Sequence, residues 1–545
     1  MSLQPLTKCA LAATVTLAVA ACASTRLPAP APTPAATPAA AGVAVDVPDI
    51  RHPEGESASW WFRDGAAQAA ANGAMQGTAR NVILFVGDGM SLPTVAAARI
   101  LQGQLRGEPG EENRLAWEHF PATALSKTYN TDQQTPDSAG TMSAMATGAK
   151  TRAGMISVAQ SMYFGDCTGL GEARLTSLWE QAADAGMATG VVTTTRITHA
   201  TPASTLAHSP NRNWENDTQV PAEAKALGCT DIARQIVENP HGNGPLVMLG
   251  GGRAHFMPSD QVDPEYPDRT GQRGDGRDLV ALWQQRHPQG AYVWNAEQLA
   301  AAPADAPLLG LFEPGHMQYE HDRPRDPAGE PSLAEMTRAA ISRLAAAPEG
   351  FVLLVEGGRI DHAHHGGNAY RALTDTLALS DAVQAALDMT SREDTLILVT
   401  ADHAHTMSFV GYPGRGNPIL GTVAKTDRDG NVEQATDRDG LPYTTLVYAN
   451  GPGYVGDDGR PDLSGVDTTG PDYLQEATVP MGSETHGGDD VGIWAIGPGS
   501  HAIRGSVEQN AIYHFMLQST PYLREAFCAT GGCNADGVPV ELPRP

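Results

Sequence analysis

Carboxylate and imidazole side chains lie next to apolar runs that are far apart in the chain. Asp361 and His365 are four residues apart, so one helical turn could direct both at a single cation. Carboxylates with imidazoles are the ligands of Zn²⁺ sites that keep a coordination position open, whereas carboxylate and hydroxyl oxygens suit Mg²⁺. These residue types therefore predict a metal centre. The candidates are Asp88, Glu356, Asp361, His365, Asp402, His403 and His486.

Ser138, in the segment TPDSAGTMSA, is a candidate nucleophile. A turn serine and a helix cap are the alternatives, because no histidine is near it in sequence and the G-x-S-x-G pattern is absent. If two zinc ions lie near Ser138, one could bind its oxygen and remove the need for a histidine base. A helix that starts near Ser138 would add backbone N–H groups for an anion.

Six apolar runs provide the elements that must position these groups. Each is short and rich in β-branched residues, as in a strand buried on both faces, and helical stretches separate them. The pattern predicts a doubly wound, mostly parallel α/β sheet sandwiched by helices. Polar residues after the strands would then meet at one sheet edge. The predicted strands are residues 81–86, 188–194, 246–249, 351–355, 395–400 and 491–496.

The charge balance limits the partners. A formal net charge of −26 argues against nucleic acid, because phosphate backbones bind Lys and Arg. The same charge would repel a small anionic substrate unless the binding pocket were itself positive.

The N-terminal segment predicts export. Lys8 precedes an apolar run, residues 9–21, which is too short to span a bilayer and fits the apolar region of a secretory signal. Residues 19–22 resemble a bacterial lipobox with Cys22 as the lipidated residue, and ordinary cleavage is the alternative. The Pro- and Ala-rich residues that follow predict a semi-rigid spacer. We expect a periplasmic protein or a lipoprotein anchored at the outer membrane or cell surface, and no membrane-spanning helix.

Four cysteines lie in the body of the chain after Cys22, and an even number in an exported chain predicts disulfides. Three pairings are possible. We expect Cys167–Cys229 and Cys528–Cys533, of which the second closes a short loop.

Eight motifs together resemble the alkaline phosphatases, with the animal tissue and secreted branch as the nearer one. The resemblance covers roughly residues 50 to 530. It implies a doubly wound α/β fold, a homodimer, and hydrolysis of phosphomonoesters at alkaline pH through a phosphoserine. The motifs are GDGM (87–90), TPDSAGT (135–141), TTTRITHATPAST (193–205), NRNW (211–214), LGGGR (249–253), VEGGRIDHAHH (355–365), TADHAH (400–405) and ETHGGDDV (484–491).

The resemblance also assigns roles to individual residues. Ser138 would be the nucleophile and Arg212 would clamp the phosphoryl oxygens. His199 and His362 would lie outside the direct ligand sets. Three metal sites are implied: Asp361, His365 and His486 for the first zinc; Asp88, Asp402, His403 and Ser138 for the second zinc; Asp88, Thr201 and Glu356 for magnesium.

A peripheral calcium site is a further implication. Glu265, Phe312 and Glu313 match two of its segments, and Glu330 stands where the family has Asp. Ser91 departs from the Gly that usually follows GDGM, which alters a turn but removes no ligand.

The N-terminal pattern predicts a signal peptide with lipobox at 1–22 and a linker at 23–49, and the resemblance implies a catalytic domain at 50–535 followed by a tail at 536–545. Residues 411–484, rich in Gly, Pro and Asp, would form a crown-like insertion outside the main sheet.

Related metal-dependent enzymes supply the rival hypotheses. A phosphodiesterase or pyrophosphatase of the same superfamily would often lack Arg212 and use Thr as nucleophile. A sulfatase needs a C/S-x-P-x-R context, which is absent at Ser138. A non-catalytic surface protein that binds zinc or phosphate would have no reason to keep Ser138.

Overall fold

The computed structural model describes residues 45–46, 55–456 and 459–543. The expected signal peptide, Cys22 and all but two residues of the 23–49 linker lie outside these residues. None of the described helices is both long and apolar enough to cross a bilayer.

A ten-stranded sheet forms the centre of the fold, in the order β17-β2-β16-β8-β1-β7-β3-β4-β6-β5. The run from β8 to β5 is parallel, whereas β16 pairs antiparallel with both β8 and β2. The strand bounds are β1 Asn81–Gly87, β2 Ala122–Lys127, β3 Ala188–Arg196, β4 Val247–Gly251, β5 Ala291–Val293, β6 Leu308–Leu311, β7 Phe351–Gly357, β8 Thr395–Ala401, β9 Ala404–His405, β10 Met407–Phe409, β11 Ala424–Thr426, β12 Val432–Gln434, β13 Leu446–Gly451, β14 Ala477–Pro480, β15 His486–Gly487, β16 Val491–Ile496 and β17 Arg504–Glu508.

Helices cover both faces of this sheet, as the alternation of patterns predicts. Their bounds are α1 Ala58–Ala71, α2 Leu92–Leu105, α3 Ser138–Thr147, α4 Leu170–Ala173, α5 Leu178–Asp184, α6 Ala200–Leu206, α7 Ala222–Ala226, α8 Ile232–Val237, α9 Leu279–Arg286, α10 Ala296–Ala301, α11 Leu333–Leu344, α12 Arg359–His365, α13 Ala369–Met389, α14 Ala511–Ser519 and α15 Pro521–Ala529.

Two hydrophobic cores lie on opposite faces of the sheet, and β1 shows why its sequence is apolar throughout. Val82, Leu84 and Val86 belong to one core, while Ile83 and Phe85 belong to the other. Successive strand side chains point to opposite faces, so a strand covered on both sides needs apolar residues at every position.

Side-chain caps fix the starts of α2 and α3. Ser91 accepts a hydrogen bond from the Thr94 N–H at the start of α2. The residue that departs from the family pattern is therefore a helix cap, a role that serine fills well. Asp137 caps α3 in the same way, through the N–H of Gly140.

The segment from 411 to 484 lies outside the main sheet, as predicted. Strands β11 and β12 form a hairpin, and β13 and β14 form a small separate sheet with β10, which comes just before this segment. Both expected disulfides are present, Cys167–Cys229 and Cys528–Cys533.

Candidate active site

The strand register gathers the predicted polar groups at one sheet edge. Gly87 pairs with Gly357 on one side and with Ala401 on the other, so β1, β7 and β8 end together. Asp88 and Asp402 follow these ends directly and are fully buried. The carboxyl end of a parallel sheet is where α/β folds place their ligands.

Asp361, His365 and His486 converge in a first group. Oδ1 of Asp361 lies 3.3 Å from Nε2 of His365 and 3.3 Å from Nε2 of His486, and the two Nε2 atoms are 3.2 Å apart. Ligand atoms around a tetrahedral zinc ion stand roughly 3.3 Å apart. The three atoms therefore form a triangle of the size that one zinc ion needs.

Hydrogen bonds at Nδ1 fix the tautomers of three histidines of the cluster, His365, His403 and His486. Each Nδ1 donates to a backbone carbonyl, which leaves Nε2 as a lone pair in the neutral ring. Two lone pairs at 3.2 Å repel one another unless a cation lies between them. The carbonyl acceptors are Glu484 for His365 at 2.6 Å, Pro136 for His486 at 2.7 Å and Ala404 for His403 at 3.3 Å.

Asp88, Asp402 and His403 form a second group, and Ser138 faces it. The Oγ of Ser138 lies 3.1 Å from Nε2 of His403 and 3.4 Å from Oδ1 of Asp88. Nε2 of His403 also lies 3.4 Å from Oδ2 of Asp402. The hydroxyl is therefore directed at a set of carboxylate and imidazole donors, all of them buried.

A third group contains Asp88 and Glu356, with Thr201 and His199 beside them. Oδ2 of Asp88 and Oε1 of Glu356 are buried without a hydrogen-bond partner, and the Thr201 hydroxyl, next to Glu356, makes no well-aligned hydrogen bond. Unpaired buried oxygens are costly, so their convergence fits a cation. His199 also offers a nitrogen to Asp88 and Glu356, within 4.8 Å.

The cluster holds more negative charge than its own cations balance. Burial raises the pKa of Asp88, and the carboxylates of Asp402, Asp361 and Glu356 raise it further. Burial also raises the pKa of Glu356 to about 7. Carboxylates in this position repel one another unless metal ions neutralise them.

Arg212 lies beside Ser138 at the start of α3. Its Nη1 donates to Oδ2 of Asp137 at 2.9 Å, and its Nη2 donates to Nε2 of His199 at 3.1 Å. Asp137 is held in turn by the N–H groups of Gly140 and Gly154 at 3.1 and 3.0 Å. A fixed guanidinium next to a helix N-terminus makes this the positive part of the site.

A family model described as alkaline phosphatase matches residues 79–521 of the sequence. The chain belongs to the alkaline phosphatase family.

Full-length relatives and solved structures agree with this assignment. The tissue-nonspecific alkaline phosphatase of Gallus gallus is 46% identical over 452 residues, which cover 81% of this chain and 84% of that protein. The alkaline phosphatase of Gadus morhua is 46% identical over 447 residues, covering 80% and 91%. The crystal structure of Thermus thermophilus alkaline phosphatase superposes with a TM-score of 0.57 at 27% identity, covering 83% of this chain and 94% of that one.

The chain is thus a phosphoric monoester hydrolase, as the motifs imply. Alkaline phosphatases depend on metal, and the three groups of donors are where this member of the family can hold it.

Two residues with a place at the site, His405 and Glu484, are missing from the residues selected by sequence. His405 donates from Nε2 to Oδ1 of Asp361 at 2.8 Å and from Nδ1 to the carboxylate of Glu484 at 2.5 Å. It thus belongs to the first group. The sequence feature that could have identified His405 is its position two residues after His403, because this spacing in an extended segment puts both rings on one face.

His362 is not a member of the three groups. Its ring packs against His316, with centroids 4.1 Å apart, and against His199 at 5.5 Å. His364 is also turned away, toward Thr94 and Tyr448.

A separate group of carboxylates occupies the place of the expected calcium site. Glu265 and Glu313 approach each other there, and the structure adds Asp326, which sequence reasoning missed, as the third member. Glu330 is buried nearby, where burial first and then Glu313 raise its pKa to about 9. Phe312 follows β6 directly, precedes Glu313 in the chain and is buried.

Proposed function

We propose that the enzyme cleaves phosphate monoesters through a covalent phosphoserine on Ser138, in a centre that holds two zinc ions and one magnesium ion, with an alkaline pH optimum. The observation that carries the proposal is the position of Ser138 Oγ, 3.1 Å from His403 Nε2 and 3.4 Å from Asp88 Oδ1. In its first helical position, the hydroxyl faces the donors of the second group and has no separate histidine base.

Each proposed ion has a donor set of fitting chemistry. Bound in these places, the zinc ions would stabilise negative charge on the attacking and leaving oxygens and favour the alkoxide of Ser138. The two nitrogen-containing sets suit zinc, and the unpaired oxygens suit magnesium. The sets are Asp361, His365 and His486 for the first zinc; Asp88, Asp402, His403 and Ser138 for the second; Asp88, Thr201 and Glu356 for magnesium, with His199 beside the last.

Ser138 performs the first chemical step. Its Oγ attacks the phosphorus, the bond from phosphorus to the ester oxygen breaks, and the alcohol leaves with a proton. A water then attacks the phosphoserine from the face that the alcohol left, which releases phosphate and restores the serine hydroxyl. Both steps are in-line displacements, so the protein contributes to the rate mainly by positioning the reacting groups and by stabilising charge.

Arg212 binds and orients the phosphoryl group throughout. Its planar fork can span two equatorial oxygens, and Asp137 holds the fork in place through the bond at 2.9 Å. The N-terminus of α3 adds partial positive charge near the same oxygens. A local positive pocket therefore lets a chain of net charge −26 bind an anion.

Acid quenching of the enzyme during turnover of a ³²P-labelled monoester tests the covalent step. We expect label on Ser138 and its loss in Ser138→Ala, with metal content unchanged and turnover reduced by at least about 10³-fold. Ser161→Ala, at an exposed serine, is the matched control. If Ser138→Ala kept full activity and carried no label, a phosphoserine intermediate would be excluded.

The substrate class is tested with two chromogenic esters. We expect p-nitrophenyl phosphate to be cleaved and bis-p-nitrophenyl phosphate to be poor. A preference for the diester would favour the phosphodiesterase alternative.

We propose that one calcium ion binds at the separate group of carboxylates, with the backbone of Phe312 as a further ligand. The carboxylates are those of Glu265, Glu313, Asp326 and Glu330. Burial first, then the neighbouring carboxylates Glu265 and Asp326, raise the pKa of Glu313 to about 7, so the group is short of positive charge. All-oxygen donors suit calcium. Loss of calcium-dependent thermal stabilisation in Glu313→Gln would support the assignment, and an unchanged response would refute it.

Export, a lipid anchor at Cys22 and a homodimer complete the proposal. The two disulfides support an oxidising compartment. Mass spectrometry of the mature N-terminus distinguishes lipidation from simple cleavage, and light scattering of the purified enzyme gives the subunit number.

A further inference from the structure

Two exposed aromatic side chains, Tyr163 and Phe164, lie on the loop between α3 and α4. Their exposed fractions are 63% and 55%. The ring of Phe164 packs on Gly154, where a Cβ added to the glycine would lie 2.6 Å from Cε2 of the ring. Gly154 has φ of 76°, a conformation that favours glycine, and the missing side chain leaves the space that the ring fills.

Gly154 also contacts the two residues of the phosphoryl clamp, which consists of Arg212 and Asp137. Its N–H donates to Oδ1 of Asp137 at 3.0 Å, and its carbonyl accepts from the Arg212 N–H at 2.9 Å. A single backbone residue therefore separates the Phe164 ring from the clamp. Since Asp137 directly precedes Ser138, the ring borders the place where the ester would be cleaved.

The alcohol portion of a bound monoester would extend toward the open side of the clamp. Ser138 is 2% exposed, whereas about one-fifth of the Arg212 and Asp137 side chains is exposed. In-line attack by the buried serine directs the leaving oxygen away from it. The alcohol therefore emerges where an exposed ring beside the clamp can meet it.

We propose that Phe164, supported by Tyr163, is an aromatic platform that binds the alcohol portion of the substrate and favours monoesters whose alcohol carries a planar ring. The inference rests on the proposed function, because it assigns a substrate class to the same site. Stacked aromatic rings gain free energy beyond the area that they bury. A sugar or a short alkyl chain has no π-face and gains nothing comparable from the platform.

Backbone contacts hold the platform in place before any substrate binds. The N–H of Gly165 donates to the carbonyl of Pro210 at 2.9 Å, which ties the loop to the chain two residues before Arg212. The N–H of Asp166 donates to the carbonyl of Tyr163 at 3.0 Å and closes a turn around the two aromatic residues. A fixed platform loses little conformational entropy when a ligand binds, so more of the stacking free energy contributes to affinity.

Two further contacts brace the loop on either side. Cys167, which follows the turn, is joined to Cys229 by a disulfide. The guanidinium carbon of Arg152 lies 4.7 Å from the centre of the Tyr163 ring, a cation–π contact. Tyr163 is thus held from behind by Arg152, while Phe164 rests on Gly154 and keeps more than half of its surface free for a ligand.

Two esters that differ mainly in a planar ring test the proposal, adenosine 5′-monophosphate and ribose 5-phosphate. We expect Phe164→Ala to lower kcat/KM for adenosine monophosphate about 5- to 20-fold, in the range for a base stacked on an aromatic side chain. It should change kcat/KM for ribose phosphate by no more than about 2-fold. Phe164→Tyr keeps the ring and should keep the wild-type ratio. Tyr522→Ala, at an exposed aromatic residue of α15, is the matched control and should also keep it.

A second variant keeps the test decisive. Phe164→Leu retains an apolar side chain over Gly154, so it serves if Phe164→Ala folds poorly, and it should lose the same preference for the ring. Equal losses for both esters would mean that Phe164 only supports the clamp, and an unchanged ratio would mean that no ring stacks on it. Either result overturns the platform while the wild type still cleaves both esters. Failure of the proposed function would differ, because the wild type would then cleave neither ester.

Discussion

The carboxylate of Glu484 accepts a hydrogen bond from Nδ1 of His405 at 2.5 Å, behind the first group of metal-ligand candidates. His405, held in this way, in turn orients Asp361, because its Nε2 donates to Oδ1 of Asp361 at 2.8 Å. The backbone carbonyl of Glu484 also accepts from Nδ1 of His365. One residue thus orients two of the side chains proposed to bind the first zinc.

Glu484→Gln should weaken zinc binding at the first site by 10- to 100-fold, the usual cost of losing an outer partner of a metal ligand. The amide presents an N–H where His405 needs an acceptor, so the histidine loses the partner that fixes it. Activity titrations in zinc buffers of known free concentration measure the shift. Glu433→Gln, at an exposed glutamate in the insertion, should behave as wild type, and an equal zinc requirement in both variants would contradict the positioning role.

Asp88 belongs to two donor groups, whereas Asp402 belongs to one. Asp88→Asn should therefore lower the content of two kinds of metal and Asp402→Asn that of one. Elemental analysis after dialysis against zinc and magnesium gives the comparison, and both variants should lose most of their activity. Loss of a single ion in Asp88→Asn would show that its two oxygens do not serve two ions.

The sheet was predictable because its central strands are buried on both faces. The six predicted strands begin and end within two residues of β1, β3, β4, β7, β8 and β16. Strands β2 and β17 were missed because they are partly exposed and mix polar with apolar residues. Strand β6 has only four residues, too few for a pattern.

The convergence of the candidate metal-binding residues was predictable for a different reason, since each of them follows a recognisable strand or belongs to a family motif. His405 and Glu484 also lie in two of the motifs, at 400–405 and 484–491, but nothing in either motif tells which residue faces a metal and which one supports a ligand. Asp326 lies in an irregular segment without periodicity, where only the folded chain shows which carboxylate approaches Glu265.

Arg212→Lys should reduce kcat/KM for phosphate monoesters by about 10- to 100-fold. Lysine keeps the charge but loses the planar fork and its bond to Asp137, and a charge-assisted hydrogen bond contributes about 1.5–3 kcal/mol. Steady-state kinetics with p-nitrophenyl phosphate and inhibition by inorganic phosphate provide the measurement. Arg428→Lys, on the exposed turn between β11 and β12, is the control, and equal kinetics in the two variants would exclude the clamp.

Lys150 is a buried cation whose protonation should link stability to alkaline pH. Its Nζ lies 2.9 Å from the Glu508 carboxylate and 3.3 Å from the centre of the Tyr129 ring, and 1% of the side chain is exposed. Burial lowers its pKa from 10.5 to about 8, although Glu508 opposes the shift. The folded chain therefore holds fewer protons than the unfolded chain between about pH 8 and 10.5.

Stability from this residue must rise with pH across that window, because the unfolded state binds the additional proton. The free energy of unfolding of wild type minus that of Lys150→Met should increase by at most about 3 kcal/mol from pH 8 to 10.5, at 1.36 kcal/mol per pKa unit. Denaturant titrations at about pH 8, 9 and 10.5 would measure it, because these points span the window. Lys127→Met is the control, because Lys127 is the more exposed of the two lysines that pair with Glu508. The hydrogen bond to Glu508 raises the pKa of Lys127, so this variant should give no such slope below pH 10.5. A difference that is flat or falls with pH for Lys150→Met would mean that Lys150 stays protonated in the folded enzyme throughout.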